Sequence, residues 1–323
     1  MEKQIQTDFR RNFYTNDDSG KIYIISLLAP FLVMFLFSML GVSIANAAGL
    51  SADNMQDYLW FTIPYAFAGQ LTFLATFFIY NKVAKVKNSA VGLNFKIGWK
   101  RTLIAIAVGI IALFGIQYFI SLCDMALISV GYPMDTTVSI LPLDNFGWYI
   151  LNLLVLALLP AICEELIFRG VVLKGLRRNF SDVTAVLLSA MMFCLMHGNL
   201  QQFAYTFLLG VILGWIATRT GSIFSSMIVH FVNNFIVITL AFIEQMTSWS
   251  MSIEFSWWFV LLALLLLCVT GVIIFLIDMF FFKHKNDVEE VKEREKRPSL
   301  FLIISWAVAV VLLVLSTIMN FMS

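Results

Sequence analysis

Glu164, Glu165 and Arg169 follow directly on an uncharged apolar run, LLVLALLPAIC at 153–163, in the stretch EELIFRG. A charge at the centre of a membrane-spanning helix costs about 2.5–3.5 kcal/mol even on insertion-derived scales, so such groups face a partner or a cavity. On a helix Glu165 and Arg169, four residues apart, share a face and can pair in the favourable order, with the acid nearer the N-terminus. Glu164 is turned about 100° from Glu165 around the same helix. It is left without a local cation, which suits a general base.

Two of the chain's three histidines lie in similar surroundings, His197 at the end of MMFCLMH and His230 in the middle of SSMIVHFVNNF. Asn234 follows His230 by four residues and shares its helical face, whereas Asn233 faces elsewhere. Polar groups aimed at one atom in this way suit the oxyanion that forms when a peptide carbonyl is attacked. Other roles use the same residues: Arg169 can join helices through the acids, a membrane histidine can be an interhelical hydrogen bonder, and the His230/Asn234 face can be a polar seam. Intramembrane Glu, Arg and His also mark ion pathways, although no inverted repeat or matched pair of broken helices points to a transporter.

The elements that hold these residues follow from composition. The 323-residue chain is 60% hydrophobic and 13% charged, with a mean hydropathy of +0.88, far too apolar for a soluble domain. Crossing a hydrocarbon core of about 30 Å takes roughly 20 helical residues. Such runs occur near 22–46, 58–80, 102–130, 147–168, 182–198, 200–218, 222–243, 256–282 and 299–321. The expected fold is an all-α polytopic transmembrane helical bundle of eight to nine spans, and the expected place is the cell membrane. The sequence ANA at 45–47 has the spacing of a signal cleavage site, but the run before it is about twice the length of a signal h-region and reads as a retained helix.

All 21 Lys and Arg residues fall in 1–21, 81–101, 169–181, 219–221 and 283–298. Basic residues are held on the cytoplasmic side during insertion, which sets the N-terminus inside. The alternate loops carry Asp53, Asp57, Asp135, Asp144, Glu244 and Glu254 and no basic residue. The net charge of +1 gives no reason to expect nucleic acid as a partner. The basic stretch 81–101 suits anionic lipid. The mixed-sign stretch 283–299 reads as a solvated linker that includes His284. Cys123, Cys163, Cys194 and Cys268 lie in apolar runs without paired spacing and read as buried small hydrophobes. The chain divides into 1–146, with a tail and three spans; 147–243, which holds nearly all the unusual polar groups; and 244–323. Counting helical rise from the inner boundary puts Glu164 about 15 Å deep and His230 about 12 Å, but His197 about 22 Å, which fits less well.

EELIFRG, FCLMH and HFVNN resemble, in order, the EExxxR, FxxxH and HxxxN motifs of the CPBP family of intramembrane proteases (CAAX protease and bacteriocin-processing), which includes the CAAX prenyl endopeptidases. The similarity covers about 150–237, and three ordered motifs on separate helices make it specific. It implies an intramembrane endopeptidase in which Glu164, helped by His197, activates water while His230 and Asn234 stabilise the oxyanion. Glu165 and Arg169 would shape the site, and Phe193 would pack beside it. The implied substrates are CAAX-like, lipidated or membrane-anchored peptides. Glu164, His197 and His230 are also a conceivable zinc set with an open fourth position. Because the helical H-E-x-x-H arrangement is absent and Asn234 is a poor zinc ligand, a metal-free glutamic peptidase is favoured, with the zinc metalloprotease and a non-catalytic immunity or transport protein as alternatives.

Overall fold

The computed structural model describes residues 10–93, 99–134, 141–247, 256–281 and 298–322. Residues 282–297 of the charged linker, with His284, lie outside the described residues, as do 94–98, Asp135 and Glu254. Inside a bilayer no water is available to backbone N–H and C=O groups, so apolar runs must satisfy them internally as helices. The described residues form the helices α1 (Asn16–Ala47), α2 (Leu59–Val83), α3 (Trp99–Ser129), α4 (Phe146–Leu176), α5 (Asp182–Met196), α6 (Leu200–Thr220), α7 (Ile223–Thr247), α8 (Trp257–Phe281) and α9 (Leu300–Met322). No strand occurs among them.

Eight of these helices are long and apolar enough to cross a membrane, and α5 is the exception. The run expected as a span at 182–198 is a helix of 15 residues, which rises only about 22 Å. It stops because Gly198 adopts a left-handed φ of +58°, after which the Asn199 side chain caps the first turn of α6. α5 and α6 thus form a helical hairpin. The two helices approach so closely at Gly210 that a Cβ there would lie 3.0 Å from the Ala190 Cα.

α4 is the centre of the bundle. In its most apolar window 56% of the residues are buried, against 11% for α8 and 17% for α1 and α9. The outer helices instead present large apolar side chains, such as Phe31 and Trp258, as a lipid-facing surface would. α4 continues past the expected end at 168 to Leu176 as one rod. It packs on α1, α2, α5, α6 and α7, and α3 closes the far side against α6, α7 and α8.

α1 begins at Asn16, before the apolar run, because Thr15 and Asp18 form a capping box. Asp18 also accepts from Arg11 at 2.8 and 3.0 Å and from the Tyr80 hydroxyl on α2 at 2.7 Å. The carboxylate raises the Arg11 guanidinium above its ordinary pKa. Burial pushes the neighbouring Tyr14 phenol up to about 12. Asp18 therefore fixes the start of α1 against the end of α2. Removing one partner from charge-assisted hydrogen bonds costs about 1.5–3 kcal/mol, so Asp18→Asn is expected to lower the unfolding free energy of the detergent-solubilised protein by about that amount, measured by denaturant titration.

Candidate active site

The acidic pair sits between two irregular pieces of α4. Leu153–Leu158 and Leu166–Val172 are π-helical, and Leu159–Glu165 between them is α-helical. Wide turns of this kind cluster at functional sites. One cause is visible in the sequence. In an α-helix the Leu156 carbonyl would accept from residue 160, but Pro160 has no N–H to give. That carbonyl accepts from Asn234 of α7, whose Nδ2 donates to it at 3.0 Å.

Glu165 and Arg169 are fully buried and pair at 2.7 Å, as the four-residue spacing requires. Arg169 also donates to the Gly210 carbonyl of α6 at 3.1 Å, and its guanidinium lies 4.6 Å from the centre of the Phe193 ring on α5. The Glu165 oxygen that accepts from Arg169 also lies 3.1 Å from His230 Nδ1. A carboxylate engaged by Arg169 can only accept, so His230 carries its hydrogen on Nδ1. When the ring is neutral, its Nε2 is then a lone pair. That Nε2 faces Glu164 Oε2 across 3.9 Å, too far for a direct hydrogen bond but a separation that one water can bridge.

The adjacent carboxylates therefore flank one imidazole, Glu165 at Nδ1 and Glu164 at Nε2. Glu164 is not without a partner: its Oε1 accepts from Gln70 Nε2 of α2 at 3.2 Å. Glu164 is 7% exposed and His230 3%.

His197 joins the group through an aromatic contact. The Phe193 ring is perpendicular to His230 with centroids 6.0 Å apart, and it meets the His197 ring edge to face at 4.9 Å. Phe193 lies one turn before His197 on α5, and its ring contacts both imidazoles. His197 Nδ1 lies 2.9 Å from the Phe193 carbonyl, an atom that only accepts. Its neutral ring likewise presents a lone pair at Nε2.

Asn234 does share the His230 face, but one of its two N–H groups is engaged by Leu156, and its Oδ1 accepts from Asn233 at 3.0 Å. Asn233 turns to the Tyr205 hydroxyl of α6. Among the described residues no three His, Cys, Asp or Glu side chains lie close enough to share a metal ion. Glu164, His197 and His230 as arranged do not fit a preformed zinc site. A cleft of about 380 Å³ lies apart from this cluster, between α3, α5, α6 and α8, lined by Ile116, Val186, Trp215 and Leu267 and bordered by Asp182 and Arg219. None of the seven motif residues lines it.

Sequence reasoning missed Gln70 and the Leu156 carbonyl. Gln70 carried a signal, as the only amide or charged side chain between Leu59 and Tyr80 in an apolar span. If Asn234 caps the carbonyl that Pro160 leaves open, Asn234→Leu should cost about 1 kcal/mol of stability. In a Pro160→Ala background, where residue 160 supplies the missing N–H, it should cost less. A double-mutant cycle measured by chemical unfolding should return a coupling of roughly 0.5–1.5 kcal/mol.

Residues 146–236, a little over a quarter of the chain, match the family model described as type II CAAX prenyl endopeptidase Rce1-like. The resemblance read from the three motifs is borne out over that segment, and the match supports an intramembrane endopeptidase at family level. No curated protein and no solved structure matches the chain.

Proposed function

We propose that the protein hydrolyses a peptide bond of a membrane-anchored or lipidated peptide, using a water held between Glu164 and His230 and no metal. The observation that carries this reading is the 3.9 Å separation of Glu164 Oε2 from His230 Nε2, with the far side of the imidazole fixed on Glu165. A buried carboxylate facing an oriented imidazole is a base pair for water.

In this mechanism the water oxygen attacks the scissile carbonyl carbon while its proton passes to Glu164. The carbonyl oxygen gains the negative charge. Asn234 offers its second N–H to that oxyanion, and His230 Nε2 accepts from the O–H that remains on the attacking oxygen. The tetrahedral carbon then expels the amine, which takes the proton from Glu164, and the C–N bond breaks. His197 Nε2 is a second proton acceptor on the outer side of Phe193. The scarcity of water around buried groups strengthens each hydrogen bond made to the developing charge. The family match supports the reaction class, and CAAX-like tails are the substrate class that it suggests for this chain.

Purified protein in liposomes should cleave lipidated or membrane-anchored peptides. Glu164→Gln and His230→Ala should each abolish cleavage while leaving a folded, monodisperse protein, and Asn234→Ala should lower the rate by about 10²- to 10³-fold. Chelator treatment that leaves no metal by elemental analysis should leave the rate unchanged. Cleavage retained by Glu164→Gln would overturn the assignment, and loss of activity on chelation with recovery on adding zinc would overturn the metal-free mechanism.

A further inference from the structure

The two oxygens of Glu164 have separate neighbours. Oε2 faces His230, and Oε1 accepts from Gln70 Nε2 at 3.2 Å. A carboxylate turns about its terminal bond on a broad, roughly two-fold profile, so facing His230 does not by itself fix its plane. A second contact at Oε1 does. Because a carboxylate offers no hydrogen, the Gln70 amide must present its NH₂ end to Glu164. Its other end, Oε1, is buried and has no hydrogen-bond partner among the described residues. Gln70 is held in place by α2, which packs along the Leu159–Glu165 segment of α4. It lies outside the segment that carries the family match.

We infer that Gln70 is a positioning residue that fixes the plane of the Glu164 carboxylate so that Oε2 points at the water beside His230. This inference rests on the peptidase reading above. The N-terminal helices then supply part of the reaction geometry rather than an anchor alone, and residues 146–236 by themselves form an incomplete site.

Two substitutions separate this role from packing. Gln70→Met keeps an unbranched side chain of similar size and removes the donor. It should lower kcat by about 10²-fold, the order of loss that follows a displacement of about 1 Å, and leave KM unchanged. Gln70→Glu restores a donor only while the new carboxyl is protonated. The two facing acids share one proton at low pH and none at high pH. Its activity should therefore be greatest in the acid range and fall as pH rises, whereas Gln70→Met should be depressed at every pH. A crystal structure of Gln70→Met should show Glu164 Oε2 moved away from His230.

Wild-type kcat in Gln70→Met would overturn the inference. So would losses in both variants that track only the folded fraction, with an unchanged pH profile. If the wild-type protein cleaves no peptide, the peptidase reading fails separately, and the crystal structure still decides the role of Gln70. Displacement of Glu164 supports it, and a carboxylate unmoved from its place beside His230 refutes it.

Discussion

The buried ion pair of Glu165 and Arg169 is the contact on which the site depends. Removing two charges from water costs several kcal/mol per ion, recovered only where the geometry is close and the remaining polar atoms find partners. Here the recovery draws on four helices, although Glu165 Oε2 and Arg169 Nε make no hydrogen bond among the described residues. Glu165 and Arg169 come from α4, the Gly210 carbonyl from α6, the Phe193 ring from α5 and the His230 Nδ1–H from α7. Breaking such a pair by removing one partner costs about 3–5 kcal/mol because a bare charge is left inside. The penalty for any other arrangement is what holds the helices in this register. Structure and chemistry are joined at one atom, since the Glu165 oxygen that neutralises Arg169 also fixes the tautomer of His230.

From that constraint the rest of the geometry follows. Consecutive residues on a helix diverge, so two neighbouring glutamates cannot point the same way, yet they can enclose an object placed between them. The imidazole of His230 is that object, with one nitrogen facing each acid. Glu165 is fully buried and serves the scaffold; Glu164 retains slight exposure. Pro160 contributes indirectly. By leaving the Leu156 carbonyl open it gives Asn234 a fixed anchor and binds the carboxylate helix to the helix that carries His230.

Contacts within one helix were the legible ones. Apolar runs located the spans, and four-residue spacings located the Glu165–Arg169 pair and the shared face of His230 and Asn234. Ordered motifs then pointed to about 150–237, and the family match covers 146–236. Contacts between helices were hidden because they depend on packing rather than period. The spacing of His230 and Asn234 pointed both at one oxyanion. In the fold His230 is oriented by a carboxylate on α4, and Asn234 spends one hydrogen on a carbonyl whose vacancy arises seventy-eight positions earlier in the chain. Gln70 contacts Glu164 across ninety-four positions, a relation that no local pattern records. The length of α5 was overestimated because Gly198 was not read as a left-handed stop.

With only three histidines in the chain, the tautomer of each is open to measurement by ¹⁵N magnetic resonance on histidine-labelled protein in lipid bilayers, with His230→Gln used for assignment. The account requires the neutral His230 ring to carry its hydrogen on Nδ1, and the Glu165→Gln substitution to disturb that signal more than the His197 signal. A neutral His230 with its hydrogen on Nε2 would contradict it, because no lone pair would then face the water beside Glu164.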